Sequence, residues 1–153
     1  MTYCLDTSAI LDGWRRHYSP DVFPSVWEKI EGLIEGKNII SPQEVLVELG
    51  EKDDIVYDWA KNHIKMFIEA TENVQREVKA ILNIYPKIIN LNKEKTQADP
   101  YVVAVAKIKN CIVVTGESIQ PRKDKTKIPE VCKDFNIQWM NILEMMRREG
   151  WRF

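Results

Sequence analysis

The chain has 153 residues, of which 44% are apolar and 29% are charged, as is ordinary for a globular protein. This length predicts one domain over residues 1–153. The formal net charge of −1 excludes a protein that binds nucleic acid through a general basic field. It leaves room for an enzyme whose metal ions supply positive charge locally.

The sequence predicts a cytoplasmic protein without membrane contact. No apolar run approaches the roughly 18 residues that a membrane span needs. The first residues lack the basic region and apolar run of a signal peptide. The three cysteines, Cys4, Cys111 and Cys132, form no close pair, which disfavours a disulfide framework or a zinc site and favours reduced thiols.

The predicted elements begin with a strand at Tyr3–Leu5 that ends at Asp6. A segment interrupted by Pro20 and Pro24 follows, and apolar residues at spacings of three and four then predict a helix over 25–34.

A second buried strand is predicted at residues 38–40, directly before a helix start. In that start Ser41 would cap the helix, Pro42 would take its first position and Glu44 would close a capping box. This helix is predicted to run to about Leu49.

The middle of the chain is predicted to be helical. One stretch starts at Asp53 or Asp54 and carries an apolar stripe to Ala70, and a second covers residues 72–85. Asp99 is predicted to cap a third helix, whose body at 101–108 is almost wholly apolar and therefore buried.

The last third predicts a buried strand at residues 111–115 and a charged loop at 116–127. A short helix from Pro129, a strand at 137–140 and a helix over 142–148 complete the chain. Strands that alternate with helices predict an α/β protein, a three-layer α/β/α sandwich with a parallel sheet.

Four carboxylates fall at predicted strand ends or in the helices beside them: Asp6, Glu48, Asp99 and Glu117. Ligands of open parallel sheets bind beyond the carboxyl ends of the strands, so these groups can converge there. Clustered carboxylates repel one another and raise each other's pKa, which a divalent cation relieves. Mg²⁺ prefers oxygen ligands, and such a site suits phosphodiester hydrolysis.

The segments around these carboxylates resemble the four motifs of the PIN-domain nucleases over residues 2 to about 150. In chain order the motifs are Leu5-Asp6-Thr7-Ser8, Glu48-Leu49, Ala98-Asp99 and Val113-Val114-Thr115-Gly116-Glu117-Ser118. The fourth has glutamate where the family usually has the aspartate of Thr-x-Asp. The end of the chain resembles a little-studied prokaryotic PIN-like subfamily.

The resemblance implies a PIN-like fold and a ribonuclease that cuts single-stranded RNA with Mg²⁺ or Mn²⁺. It further implies the toxin of a toxin–antitoxin pair, an antitoxin protein as partner and a possible homodimer. The implied catalytic and metal-binding residues are Asp6, Glu48, Asp99 and Glu117, supported by Thr7, Ser8 and Thr115. Glu44 competes with Glu48, which we prefer because Glu44 is expected to serve the capping box.

Each carboxylate also has a structural interpretation. Asp6 suits a turn after a strand, and Asp99 suits a helix cap. Glu48 suits a solvated helix face, and Glu117 suits a charged loop.

Basic residues in two segments could contact RNA. The loop residues Arg122, Lys123 and Lys125 could guide the backbone past the metal site, although such runs are more often solvated. Arg15 and Arg16, next to a tryptophan, could clamp a single strand, although helix packing or a dimer contact explains them equally well.

Three rival functions are weighed against the ribonuclease. A haloacid-dehalogenase-like phosphatase would need a second aspartate where the chain has Ser8. A catalytically degenerate PIN-like module would bind RNA or a protein partner without cutting. A nuclease acting on DNA has no local sequence signature that separates it from one acting on RNA.

Overall fold

A computed structural model of the chain describes residues 1–95 and 97–153. Its centre is a sheet of five short strands in the order β3-β2-β1-β4-β5, and every neighbouring pair is parallel. The strands are β1 Tyr3–Leu5, β2 Ile39–Pro42, β3 Phe67–Ile68, β4 Ile112–Val114 and β5 Trp139–Met140. The predicted α/β class with a parallel sheet is confirmed.

Helices flank the sheet and connect its strands. They are α1 Thr7–Asp12, α2 Pro24–Glu35, α3 Gln43–Lys52, α4 Asp54–Lys61, α5 Glu72–Ile84, α6 Asp99–Lys109, α7 Ile128–Asp134 and α8 Ile142–Arg148. A π-helical segment, Gly13–His17, extends α1, and short 3₁₀ turns lie at Ile64–Met66 and Pro86–Ile88. Within the described ranges, no helix is both long and apolar enough to cross a membrane.

The core lies around the central strands and α6. All residues of β1 and β4 are buried, as is expected for parallel strands covered on both faces. Val102, Val103 and Ala104 of α6 are fully buried, which confirms the buried helix predicted from its apolar run. The sheet edge that follows β1 and β4 therefore rests on a tightly packed support.

Two elements differ from the sequence predictions. The helical stretch expected to reach Ala70 is wrong, because α4 ends at Lys61 and the chain then forms β3. That strand has two residues, too few for a periodic signal, and exists because Phe67 and Ile68 pair with β2. The segment after Asp6 also begins with a helix, α1, that the prediction missed.

The predicted capping box at the start of α3 is wrong. β2 continues through Pro42, and the buried Ser41 hydroxyl donates instead to the backbone oxygen of Leu5 at 2.7 Å. Among the described residues, Oε1 of Glu44 is buried without a hydrogen-bond partner, and burial raises the pKa of this carboxyl. Pairing of Ser41 with Phe67 in the sheet prevents the local cap from forming.

The cap predicted at Asp99 is also wrong. Ala98 is the N-cap residue of α6, and Asp99 is its first helical residue, with no side-chain cap hydrogen bond at this helix start. The Asp99 carboxylate is therefore available for contacts outside its own helix.

The Ser41 contact predicts a stability difference. Replacing Ser41 with alanine removes the hydrogen bond to Leu5 inside the sheet and should lower the free energy of unfolding by about 1–2 kcal/mol. Glu44→Gln is the matched variant, and it should leave stability unchanged or raise it, because it removes a partly buried charge. Urea unfolding of both variants measures the difference, and an equal loss for Glu44→Gln would restore the capping-box interpretation.

Candidate functional site

The candidate site lies at the carboxyl edge of the sheet. Leu5 pairs with Val114 in the register between β1 and β4, so the residues that follow these strands, Asp6 and Thr115, come to lie side by side. Asp99 arrives at the same edge at the start of α6. Parallel strands make this convergence possible because their carboxyl ends share one edge.

Asp6 is the most buried carboxylate of the site, with only 1% of its surface exposed. Its Oδ1 accepts a hydrogen bond from the Ala9 backbone at 2.7 Å, which caps α1. Its Oδ2 accepts a 2.6 Å hydrogen bond from the Thr115 hydroxyl, and the Ser8 hydroxyl lies within 2.9 Å of both oxygens. Three donors, two from α1 and one from the residue after β4, therefore fix the Asp6 carboxylate in one orientation.

The same hydroxyls organise the loop after β4. The Ser8 hydroxyl accepts from the Gly116 backbone at 2.9 Å, and the Thr115 hydroxyl accepts from the Glu117 backbone at 3.0 Å. A Cβ atom on Gly116 would lie 2.5 Å from Oδ2 of Asp12 and 3.2 Å from Oγ of Ser8. A side chain at position 116 would therefore crowd α1 and displace the Asp12 carboxylate, a constraint that the sequence analysis did not identify.

Three of the four predicted carboxylates converge. One oxygen from each of Asp6, Asp99 and Glu117 lies within 4.8 Å of the other two. A cation also contacts this group of carboxylates: Nζ of Lys125 lies 2.9 Å from Oδ2 of Asp99. Glu117 is oriented by the backbone of Ile128 at the start of α7, which donates to its Oε1 at 3.3 Å.

The closeness of these groups shifts their pKa values. Burial, and then the charge of Asp99, raise the pKa of Asp6 to about 7, although the three hydrogen bonds oppose the shift. The pKa of Glu117 is also raised, again by burial first and by Asp99 second. The fold therefore holds these acidic groups closer together than their mutual repulsion favours.

Glu48 faces the same cleft but lies outside the tight group. It sits on α3, and its Oε1 accepts a 2.5 Å hydrogen bond from the Thr7 hydroxyl. Glu44 does not line the cleft, whereas Glu48 does. The geometry therefore favours Glu48 over Glu44, although the capping-box reason originally given for this preference is wrong.

The four carboxylates line an open cleft of about 770 Å³ that also contains lysines. The residues on its wall that the sequence analysis did not select are Leu11, Asp12, Glu51, Lys52, Lys93, Glu94, Lys95 and Gln97. The charge run Lys93-Glu94-Lys95, shortly before Asp99, was the available sequence signal for this part of the wall.

The basic residues proposed for RNA contact lie in different places. Lys125 lines the cleft, and Arg122 lines an adjoining groove, where it pairs with the neighbouring Asp124. Arg15 is held by Asp53 through two hydrogen bonds of 2.6 and 2.9 Å.

Two further candidates have no direct place on the cleft wall. Arg16 does not line the cleft, but its Nε lies 3.7 Å from Oδ1 of Asp12, which does. Lys123 belongs to neither the cleft wall nor the wall of the adjoining groove.

The donor set fits a divalent cation. Two oxygens on opposite sides of a Mg²⁺ ion, each at about 2.1 Å, are about 4.2 Å apart. The 4.8 Å limit of the carboxylate group is close enough to reach that separation by small side-chain movements. The oxygen-only chemistry of Asp6, Asp99 and Glu117 suits a hard ion such as Mg²⁺ or Mn²⁺.

Solved structures with the same fold cover nearly the whole chain. VapBC2 from Rickettsia felis, bound to a DNA fragment from its promoter, is 18% identical over 92% of this chain and 98% of that chain, with a TM-score of 0.54. VapBC-1 from nontypeable Haemophilus influenzae is 16% identical over 94% and 99%, with a TM-score of 0.55. FitAcB from Neisseria gonorrhoeae is 19% identical over 93% and 99%, also with a TM-score of 0.55.

These likenesses confirm the PIN-like fold that the four motifs predicted. No curated protein matches the chain in sequence. The family described as a domain of unknown function (DUF4411) matches residues 3–153, and the chain belongs to this family.

Proposed function

We propose that the protein is a metal-dependent nuclease that hydrolyses phosphodiester bonds of single-stranded RNA. The observation that carries this proposal is the convergence of three carboxylates, Asp6, Asp99 and Glu117, in an open cleft at the sheet edge. The hydrogen bonds to Asp6 hold this repulsive arrangement in place without neutralising it. Such a site is suited to Mg²⁺ or Mn²⁺. Residues 1–153 would then form one nuclease domain.

The geometry supports a role for each carboxylate in this proposal. Asp6, Asp99 and Glu117 would hold the ion, and Glu48 would join them from the cleft wall, where the hydroxyl of Thr7 orients its carboxylate. When bound, a divalent ion would lower the pKa of a water molecule and neutralise negative charge on the phosphate. The carboxylates act as oriented ligands, and no protein nucleophile is required.

The cleft lysines give the substrate a second point of contact. Lys52, Lys93 and Lys95 lie on its wall beside the carboxylates. They can attract phosphates locally even though the whole chain carries a net charge of −1. The open shape admits a flexible single strand, and the choice of RNA over DNA follows the resemblance to the PIN nucleases.

We further propose that the nuclease acts as the toxin of a toxin–antitoxin pair and can form a homodimer. Support comes from the fold, which it shares with proteins solved as VapBC and FitAcB. The expected antitoxin is a small protein encoded beside this chain. Co-expression of that neighbour, followed by purification of a stable complex that suppresses cleavage, tests the proposal.

Cleavage should depend on Asp6. Replacing Asp6 with asparagine keeps its shape but removes a charge from the carboxylate group, and we expect cleavage of labelled single-stranded RNA to fall by about 100-fold or more. EDTA should abolish activity, and Mg²⁺ or Mn²⁺ should restore it. Parallel assays on single-stranded DNA and double-stranded RNA define the substrate class.

Asp58→Asn is the matched control, because Asp58 is an exposed carboxylate on α4 outside the cleft. It should retain full activity, and thermal unfolding should show that both variants are folded. Undiminished cleavage by the Asp6 variant would refute the site assignment. A metal titration that finds no Mn²⁺ binding would favour the rival function, a catalytically degenerate module.

Stability without metal should depend on pH through Asp6. Its pKa is about 7 in the folded protein against 3.8 for the ordinary group, so between these values the folded state binds the extra proton. Stability should therefore fall as pH rises from about 4 to 7, by at most about 1.4 kcal/mol per pH unit. Excess Mn²⁺ should reverse the loss at the upper end of this range.

Thermal unfolding in EDTA from pH 5 to pH 8 measures this dependence. Asp6→Asn cannot ionise, so its profile should be flatter than that of the unchanged protein. A profile that is the same for both proteins would show that Asp6 does not carry the repulsion.

A further inference from the structure

The ammonium group of Lys125 lies inside the candidate metal site. Its Nζ is 2.9 Å from Oδ2 of Asp99, and 35% of the side chain is exposed. Burial alone would lower the pKa of Lys125, but the charges of Asp99, Glu117 and Glu48 raise it above its ordinary value. The Lys125 side chain therefore places an ammonium group where the carboxylates concentrate negative charge.

Backbone contacts of the two residues that follow Lys125 hold it in this position. The Thr126 backbone donates to the backbone oxygen of Lys87 at 3.0 Å. The Lys127 backbone donates to Oε2 of Glu130 at 2.8 Å, at the start of α7. Lys125 is thus presented to Asp99 by an anchored part of the loop and does not reach it from a free chain end.

Lys125 also marks the junction of two cavities. It lines the acidic cleft and, together with Lys93 and Gln97, the adjoining groove of about 590 Å³. Lys87 and Arg122 also line that groove, which we call the basic groove. A phosphate chain that passes from the carboxylates into this groove passes the residues that line both cavities, Lys125 among them.

We propose that Lys125 is a mobile positioning residue that alternates between Asp99 and a substrate phosphate. A divalent ion held by Asp99 repels the nearby ammonium, so ion binding and the Lys125–Asp99 pair oppose each other. The displaced ammonium has the basic groove beside it and contacts a phosphate of the bound strand there. This inference rests on the proposed nuclease function and adds a route for the strand through the basic groove.

The first test is Mn²⁺ affinity of the full chain, measured by calorimetry. Lys125→Met removes the competing cation and should tighten Mn²⁺ binding by up to about fivefold, the range of a partly exposed ion pair. Lys125→Arg keeps the charge and should bind Mn²⁺ like the unchanged protein. Lys109→Met is the matched control for net charge, because it lies ten residues further along α6, about 15 Å from Asp99.

The second test is binding, at saturating Mn²⁺, of a single-stranded oligonucleotide with methylenephosphonate linkages, in which a carbon replaces the leaving oxygen so that each linkage keeps its charge but resists hydrolysis. Lys125→Met should weaken binding and reduce the slope of log affinity against log salt by about 0.7, as expected for one lost phosphate contact. Lys109→Met should leave the slope unchanged. A merely structural role for Lys125 predicts weaker Mn²⁺ binding and no change in salt slope.

The outcomes separate this inference from the proposed function. If the unchanged protein fails to bind Mn²⁺, the metal-dependent nuclease itself is refuted. If it binds Mn²⁺ but Lys125→Met binds no more tightly, the competition with Asp99 is overturned. If Mn²⁺ binding tightens while the salt slope stays the same, the phosphate contact is overturned.

Discussion

The repulsion among Asp6, Asp99 and Glu117 is the constraint on which the rest of the site depends. Their oxygens come within 4.8 Å of one another, and burial raises the pKa of both Asp6 and Glu117. No local feature of the chain favours such an arrangement, since each carboxylate alone would be more stable in water. The packed sheet beneath them supplies the stability that keeps them together.

The sheet keeps the carboxylates together through the pairing of its strands. The register of β1 and β4 places Asp6 beside Thr115, and the hydroxyl of Thr115 then serves both the carboxylate and the following loop. Gly116 allows that loop to pass close to α1. The polar contacts of the site thus continue directly from the strand pairing, which positions them.

Positive charge enters the site from the chain itself through Lys125. Its ammonium group offsets part of the negative charge of the carboxylates through its contact with Asp99. The anchored loop keeps this positive charge next to them. Other lysines, including Lys52 and Lys93, line the same cleft. A nearly neutral protein can in this way present acidic groups to a cation and basic groups to a polyanion within one cleft.

The sequence by itself determined the alternation of strands and helices, the burial of α6 and the four acidic positions. These are encoded by apolar runs and helical spacing, which depend on neighbours along the chain. It could not determine β3, because Phe67–Ile68 is a strand only through its pairing with β2. The helix caps predicted at Ser41 and Asp99 were wrong because capping rules consider only neighbouring residues. In the structure the Ser41 hydroxyl donates to Leu5, and the Asp99 carboxylate accepts from Lys125.

Tertiary structure alone decided which carboxylates meet. Asp6, Asp99 and Glu117 converge because parallel strands end at one edge, whereas Glu48 stays on the cleft wall beside Thr7. Their separation in sequence carries no distance information, and the presence of Lys125 among them has no local signal beyond a charged loop. Side chains that are distant in the chain acquire their chemistry from the sheet geometry that brings them together.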